Sequence, residues 1–165
     1  RIPSGGVVLV EYGTEGLVVS PVSDFPGSYR NIAEGKHAYA NSQLPGDLPF
    51  NTIDFDPDTY WQSVLNPADG NEHLTFRLRN QYEIDKVVIT PRAGFAPKEV
   101  EIQISNTDGS FVRRATATLS NSDEPQAISI TSGKARFVRI KVLSGYAPQC
   151  AIREVKIMGT PATTN

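Results

Sequence analysis

The chain has 165 residues and a mass of 18.0 kDa, which suits one domain with a core of its own and needs no disulfide staples. A net charge of −2 and a pI of about 5.7 exclude a broad electrostatic footprint for nucleic acid or an anionic membrane. Cys150 stands alone, so no internal disulfide exists, and no apolar run approaches the ~20 residues of a membrane-spanning helix. No signal peptide is read in these residues, and the start at Arg1 is expected to be that of a processed or excised piece of something longer.

Residues 1–29 are rich in glycine and nearly free of basic residues, which places a boundary near Ser28-Tyr29. Within them Val7-Val8-Leu9-Val10 and Leu17-Val18-Val19 flank Gly13-Thr14-Glu15-Gly16 as a hairpin, either an extension or the tail of a preceding domain. Residues 30–160 read as one domain, with 161–165 as a C-terminal tail. Strands are predicted near 37–41, over Leu74, Phe76 and Leu78, near 84–91, and over Val100, Ile102 and Ile104, where apolar residues alternate with polar ones. Further strands follow at 111–119, 125–130, over Val138, Ile140 and Val142, and at 151–158. Asp69-Gly70-Asn71, Asn106-Thr107-Asp108-Gly109, Ser120-Asn121-Ser122-Asp123 and Thr131-Ser132-Gly133 have turn compositions. No amphipathic helix and no internal repeat is evident. The pattern is that of an all-β sandwich.

The segment Asp54-Phe55-Asp56-Pro57-Asp58-Thr59-Tyr60-Trp61 carries the most chemistry. Its three carboxylates repel one another unless a cation sits between them or all point into water. Calcium takes all-oxygen sets of carboxylate, hydroxyl and carbonyl, and Pro57 stiffens the turn. A solvated Asx/Pro turn leading into a strand satisfies the same residues, and spacing alone leaves both readings open.

Three motifs occur in register: Asn31-Ile32-Ala33-Glu34-Gly35-Lys36, then Asp54 through Trp61, then Ala151-Ile152-Arg153-Glu154-Val155-Lys156-Ile157. Together they resemble the discoidin domains, also called coagulation factor V/VIII C-type domains, and most of all the bacterial family-32 carbohydrate-binding modules. The resemblance covers about residues 30–159. It implies an all-β jelly-roll β-sandwich of the galactose-binding-domain-like type, with a structural calcium and a ligand site on loops at one end. Phe55 departs from the family's usual glycine, and the cysteine pair common in animal discoidins is absent, which favours the bacterial type.

Carried over, the resemblance assigns calcium to Asp54, Asp56, Thr59 and Glu154, with a carbonyl from Asn51 or a neighbour and one from Ala151. Glu154 alternates with core residues on its strand and so is free to meet the Asp turn, although without the resemblance an ordinary exposed strand carboxylate is the favoured reading. Trp61 is expected in the core. Ligand candidates are Arg92 and Phe95 in Pro91-Arg92-Ala93-Gly94-Phe95, Tyr146 and Gln149 in the loop 144–149, and Gln43, because a sugar offers hydroxyls to polar groups and a C–H face to an aromatic ring. For Arg92 a surface salt bridge, for Phe95 a loop anchor, and for Tyr146 a ring on its own Pro148 are the plain alternatives.

His37 and His73 lack a nucleophile partner, and Cys150 reads as a small buried hydrophobe, so no catalytic constellation emerges. The expectation is a non-catalytic module that binds a glycan or polysaccharide, with no nucleic-acid partner and no membrane insertion. It would belong to a larger multidomain protein that degrades or captures glycans, in an extracellular, periplasmic or cell-surface setting. A protein-interaction or spacer domain of the same fold is the alternative, and the two divide on whether Arg92, Phe95 and Tyr146 converge.

Overall fold

The computed structural model describes residues 28–64 and 72–162. The expected hairpin of residues 7–19, the turn Asp69-Gly70-Asn71 and residues 163–165 lie outside them. Among the described residues eight strands form: β1 (Arg30–Asn31), β2 (His37–Ala40), β3 (Trp61–Gln62), β4 (Glu72–Pro91), β5 (Glu99–Ser105), β6 (Val112–Thr118), β7 (Gln126–Val142) and β8 (Ala151–Pro161). A short 3-10 helix, Pro49–Ile53, precedes the Asp turn.

All strand pairing is antiparallel, and β4 and β7 serve two layers each. Residues 72–77 of β4 pair with β2 and with residues 137–142 of β7, whose other edge carries β5 and then β6. Past a register break between Arg77 and Tyr82, the second half of β4 pairs with the first half of β7 and with β8, which carries β1 and β3. Two strands longer than the usual five or six residues thus bend from one sheet into the other, as bulges allow. The architecture is the expected all-β sandwich, with one difference in detail. Thr131-Ser132-Gly133, expected to be a turn, lies inside β7 at the bend.

The period-2 alternation explains the core. Leu74, Phe76, Val100, Ile102, Ile140 and Val142 from the first layer face Ile84, Val87, Ile89, Val155 and Ile157 from the second, all buried. Trp61 is fully buried, and its indole N–H donates to the Ser42 carbonyl at 2.9 Å. Truncating Phe76 or Trp61 to alanine would cost about 3–5 kcal/mol in such packing. Cys150 is buried as expected, and burial pushes its thiol up to about 12, which leaves it inert. The last strand runs to Pro161, and the Ala162 N–H still donates to Gln81, so the sandwich continues slightly past residue 160.

Candidate functional site

The residues that follow β4 form the first part of the site. Arg92 N–H donates to the Ala151 carbonyl, Phe95 N–H donates to the Arg92 carbonyl, and Ala151 N–H donates to the Phe95 carbonyl, closing a tight turn. Gly94 sits at φ +91, a conformation that side-chain-bearing residues rarely adopt. The neighbouring loop grips this turn from outside, with Asp123 Oδ1 accepting from Ala93 N–H at 2.9 Å and Asn121 Oδ1 from Gly94 N–H at 2.8 Å. The Ala93 N–H and the Arg153 guanidinium hold the Asp123 carboxyl below its usual value.

The turn delivers the Arg92 guanidinium between two rings, 4.5 Å from the Tyr60 centroid and 4.6 Å from that of Phe95. Its Nη1 donates to Gln62 Oε1 at 3.1 Å. Arg153 lies 5.9 Å from the same Tyr60 ring and bonds Asp123 at 3.0 Å. The result is a half-buried, preset fork of N–H donors held against two aromatic faces, suited to hydroxyl or carboxylate oxygens.

Of the expected ligand residues, the structure brings Arg92 and Phe95 together and leaves the others apart. The Tyr146 hydroxyl donates to the Leu119 carbonyl at 2.7 Å, and its ring faces Lys98 at 5.6 Å. Its N–H donates at 3.1 Å to the carbonyl of Ala96, next to Phe95, so its backbone adjoins the turn but its ring does not flank the Arg92 guanidinium as Tyr60 and Phe95 do. Gln43 is exposed on a separate depression of about 370 Å³ beside Leu48 and Phe50. Gln149 is half-buried next to Cys150, whose backbone exchanges hydrogen bonds with Ser63. Tyr60 and Gln62 were missed as site residues. The signal existed: strict alternation around a buried Trp61 puts its two neighbours on the other face.

The Asp turn forms the second part. Thr59 Oγ1 lies 2.6 Å from Asp54 Oδ2, 3.0 Å from the Asp56 carbonyl and 3.2 Å from the Asn51 carbonyl. One hydroxyl proton cannot serve three acceptors, so the nest holds more oxygen lone pairs than hydrogens. Glu154 adds to the excess, because its Oε2 is buried with no hydrogen-bond partner among the described residues. Burial pushes the Glu154 carboxyl up to about 7, and Asp54, Asp56 and Glu34 repel its charge further, against the pull of Lys156. No three Asp, Glu, His or Cys side chains among the described residues converge tightly enough to hold an ion by themselves. The excess consists of carbonyl, hydroxyl and carboxylate oxygen together, and such a mixed set suits a hard divalent cation.

Two expected donors are also engaged within the chain. The exposed Asp56 carboxylate accepts the Asp58 N–H at 2.9 Å, and it is the backbone carbonyl of Asp56 that faces Thr59. The Ala151 carbonyl accepts from Arg92 N–H at 3.1 Å and belongs to the arginine turn. Asn51 offers its carbonyl as expected, while its amide ties Gly46 and Tyr60 carbonyls. Phe55, standing where the resemblance implied glycine, is at φ 67 and is 70% exposed.

Comparison with solved structures identifies the fold. The chain is similar to chitosan-binding module 1 of a chitosanase/glucanase from Paenibacillus sp. IK-5, at 23% identity over 77% of this chain and 97% of that one, with a TM-score of 0.68. It is similar to the family 32 carbohydrate-binding module of NanJ from C. perfringens, solved with galactose, at 21% identity over 79% and 99%, TM-score 0.69. It also matches a truncated AlyQ that holds a family 32 module and an alginate lyase domain, at 21% identity over 83% of this chain and 35% of that one, TM-score 0.66. Residues 37–155 match the F5/8 type C domain, most of the described sandwich, and the chain therefore belongs to that family.

Proposed function

We propose that this chain is a non-catalytic carbohydrate-binding module with a structural calcium, one part of a larger extracellular, periplasmic or cell-surface bacterial protein that degrades or captures glycans. The observation that carries the reading is the Arg92 fork, clamped by Tyr60, Phe95 and Gln62 on a loop that Asp123 and Asn121 hold rigid. A preset donor held between aromatic rings lowers the ordering cost of binding a hydroxyl-rich ligand. The similar modules solved with galactose, and the one joined to an alginate lyase domain, support the ligand class and the multidomain setting.

Calcium would be held by the Asn51 and Asp56 carbonyls, Asp54, Thr59 and Glu154. When bound it would neutralise their mutual repulsion and tie the Asp turn to β8. A screen of the calcium-loaded chain against a glycan array, repeated with Arg92→Ala, tests the proposal. The expected result is weak binding, about 10⁻⁴–10⁻³ M, that the variant loses. A second reading, a spacer or protein-interaction domain, draws support from Tyr146, which is anchored to Leu119 rather than turned toward Arg92. An array with no bound glycan selects that reading.

A further inference from the structure

The geometry points to a second site at the opposite end of the sandwich, one that takes a sulfate or carboxylate group of an acidic saccharide. A cavity of about 690 Å³ opens there, lined by Gly35, Lys36, His37, Arg77, Arg79 and Asn80. Its size falls within the range of small-molecule sites, roughly 300–1,000 Å³. Three of the six lining residues are permanent cations and none is a carboxylate, in a chain whose net charge is −2. Among the described residues the two ion pairs, Arg113–Glu101 and Arg153–Asp123, lie elsewhere, so none of these cations is in an ion pair with a described residue.

The cluster is built rather than scattered. Lys36 Nζ donates to the Ile32 carbonyl at 3.0 Å and the Tyr82 hydroxyl at 3.2 Å, and it lies 5.0 Å from the Tyr82 ring. Arg77 and Arg79 are both exposed where β4 crosses from one layer to the other, at the register break before Tyr82. Arg79 is held at φ 76, a left-handed backbone that costs a side-chain-bearing residue strain. Arg136 Nη1 donates to the Arg79 carbonyl at 3.2 Å, bringing a further guanidinium to the bend. Arginine forks match the paired oxygens of sulfate and carboxylate, while Asn80 and His37 offer hydrogen bonds to sugar hydroxyls. The lining holds no large apolar side chain to enter a bilayer, and the negative net charge disfavours a flat anionic membrane.

The test is NMR titration of the 165-residue chain with a sulfated disaccharide, a uronic-acid tetrasaccharide, a neutral tetrasaccharide and vesicles of anionic phospholipid. Shifts at residues 35–37 and 77–80 are expected with an acidic saccharide alone, weakening as salt rises. Arg77→Gln combined with Arg79→Gly should weaken this binding at least ~10-fold and leave any neutral-glycan binding at the Arg92 end in place. Glycine relieves the left-handed backbone, so a loss in Arg79→Gly does not come from unfolding. Unchanged affinity in the double variant, equal shifts with the neutral tetrasaccharide, or preference for vesicles over both acidic saccharides overturns the proposal. Failure here leaves the Arg92 site standing, because the shifted residues differ.

Discussion

Glu154 pairs across from Thr90, two residues before Arg92, so a carboxylate and a guanidinium sit close together in opposite surroundings. The chain itself satisfies Arg92, with two ring faces, a glutamine oxygen and a rigid turn. Nothing among the described residues satisfies Glu154 Oε2, and the neighbouring charges Asp54, Asp56 and Glu34 make its position worse. A completed cluster is a positioning device, able to bind with the donors left over. An incomplete one, buried and overcharged, marks where the folded state gains most from a solute, since a group that binds only the native state stabilises it by mass action.

The hardest test of this contrast is removal of divalent ions. Chelation should lower the melting temperature by about 5–15 °C, and Asp54→Ala should reproduce the loss without further response to chelator. Differential scanning calorimetry with elemental analysis checks it. An unchanged melting temperature after verified metal removal would erase the distinction drawn for Glu154.

Glu72 sharpens the same comparison, because it is fully buried and no carboxylate among the described residues adds to its shift. Burial pushes its carboxyl up to about 7, against the stabilising hydrogen bond that the single Ser42 hydroxyl shares between its two oxygens. Its folded value lies above the ordinary one near 4.5, so the native state holds this proton while the unfolded chain releases it. Stability from this group is therefore complete below about pH 4.5 and is lost as pH rises through about 7, by about 3 kcal/mol. Urea unfolding of Glu72→Gln at pH 5 and pH 8 should show that slope flattened. Calcium should leave the Glu72 contribution untouched, and a slope that vanished with calcium instead would reassign it to Glu154.

Arg92→Ala should cost at least ~10-fold in affinity for a glycan found by array. Tyr146→Ala should leave that affinity unchanged while lowering stability by about 1 kcal/mol, through loss of its hydrogen bond to Leu119. Calorimetric titration and thermal melts separate the two, and an affinity loss in Tyr146→Ala would mean that the ring reaches the ligand after all. The smallest effect is Phe55→Gly, expected to stabilise by about 1 kcal/mol, since an exposed ring at φ 67 gives up little packing and much strain. Destabilisation there would mean that the ring has a contact of its own.

The layers and the core were legible because alternation is a local code. Leu74, Phe76 and Leu78 had to face one way wherever the strand went. Where strands bend is not local, which is why Thr131-Ser132-Gly133 read as a turn and is a bend inside β7. At the site, Arg92 with Phe95 was legible as a loop pair, and Thr59 with Asp54 as a turn. The sandwich of Arg92 on Tyr60 was not, because it joins segments about 30 residues apart through strand pairing. The anchoring of Tyr146 was illegible for a similar reason: its hydroxyl donates to the carbonyl of Leu119, an acceptor that no sequence pattern advertises.

A single strand connects both ends of the molecule. β4 bends near Asn80 beside the arginine-lined cavity and ends at Pro91, beside the Arg92 turn. In extended form that stretch is roughly 35 Å long. Two binding points so far apart, facing away from each other, cannot close on one short oligosaccharide. Were both proposed ends engaged, the module would act as a rivet between separate polysaccharide chains, and its hold on a dense glycan matrix would exceed what either end achieves on a soluble fragment, through high effective concentration rather than any added contact.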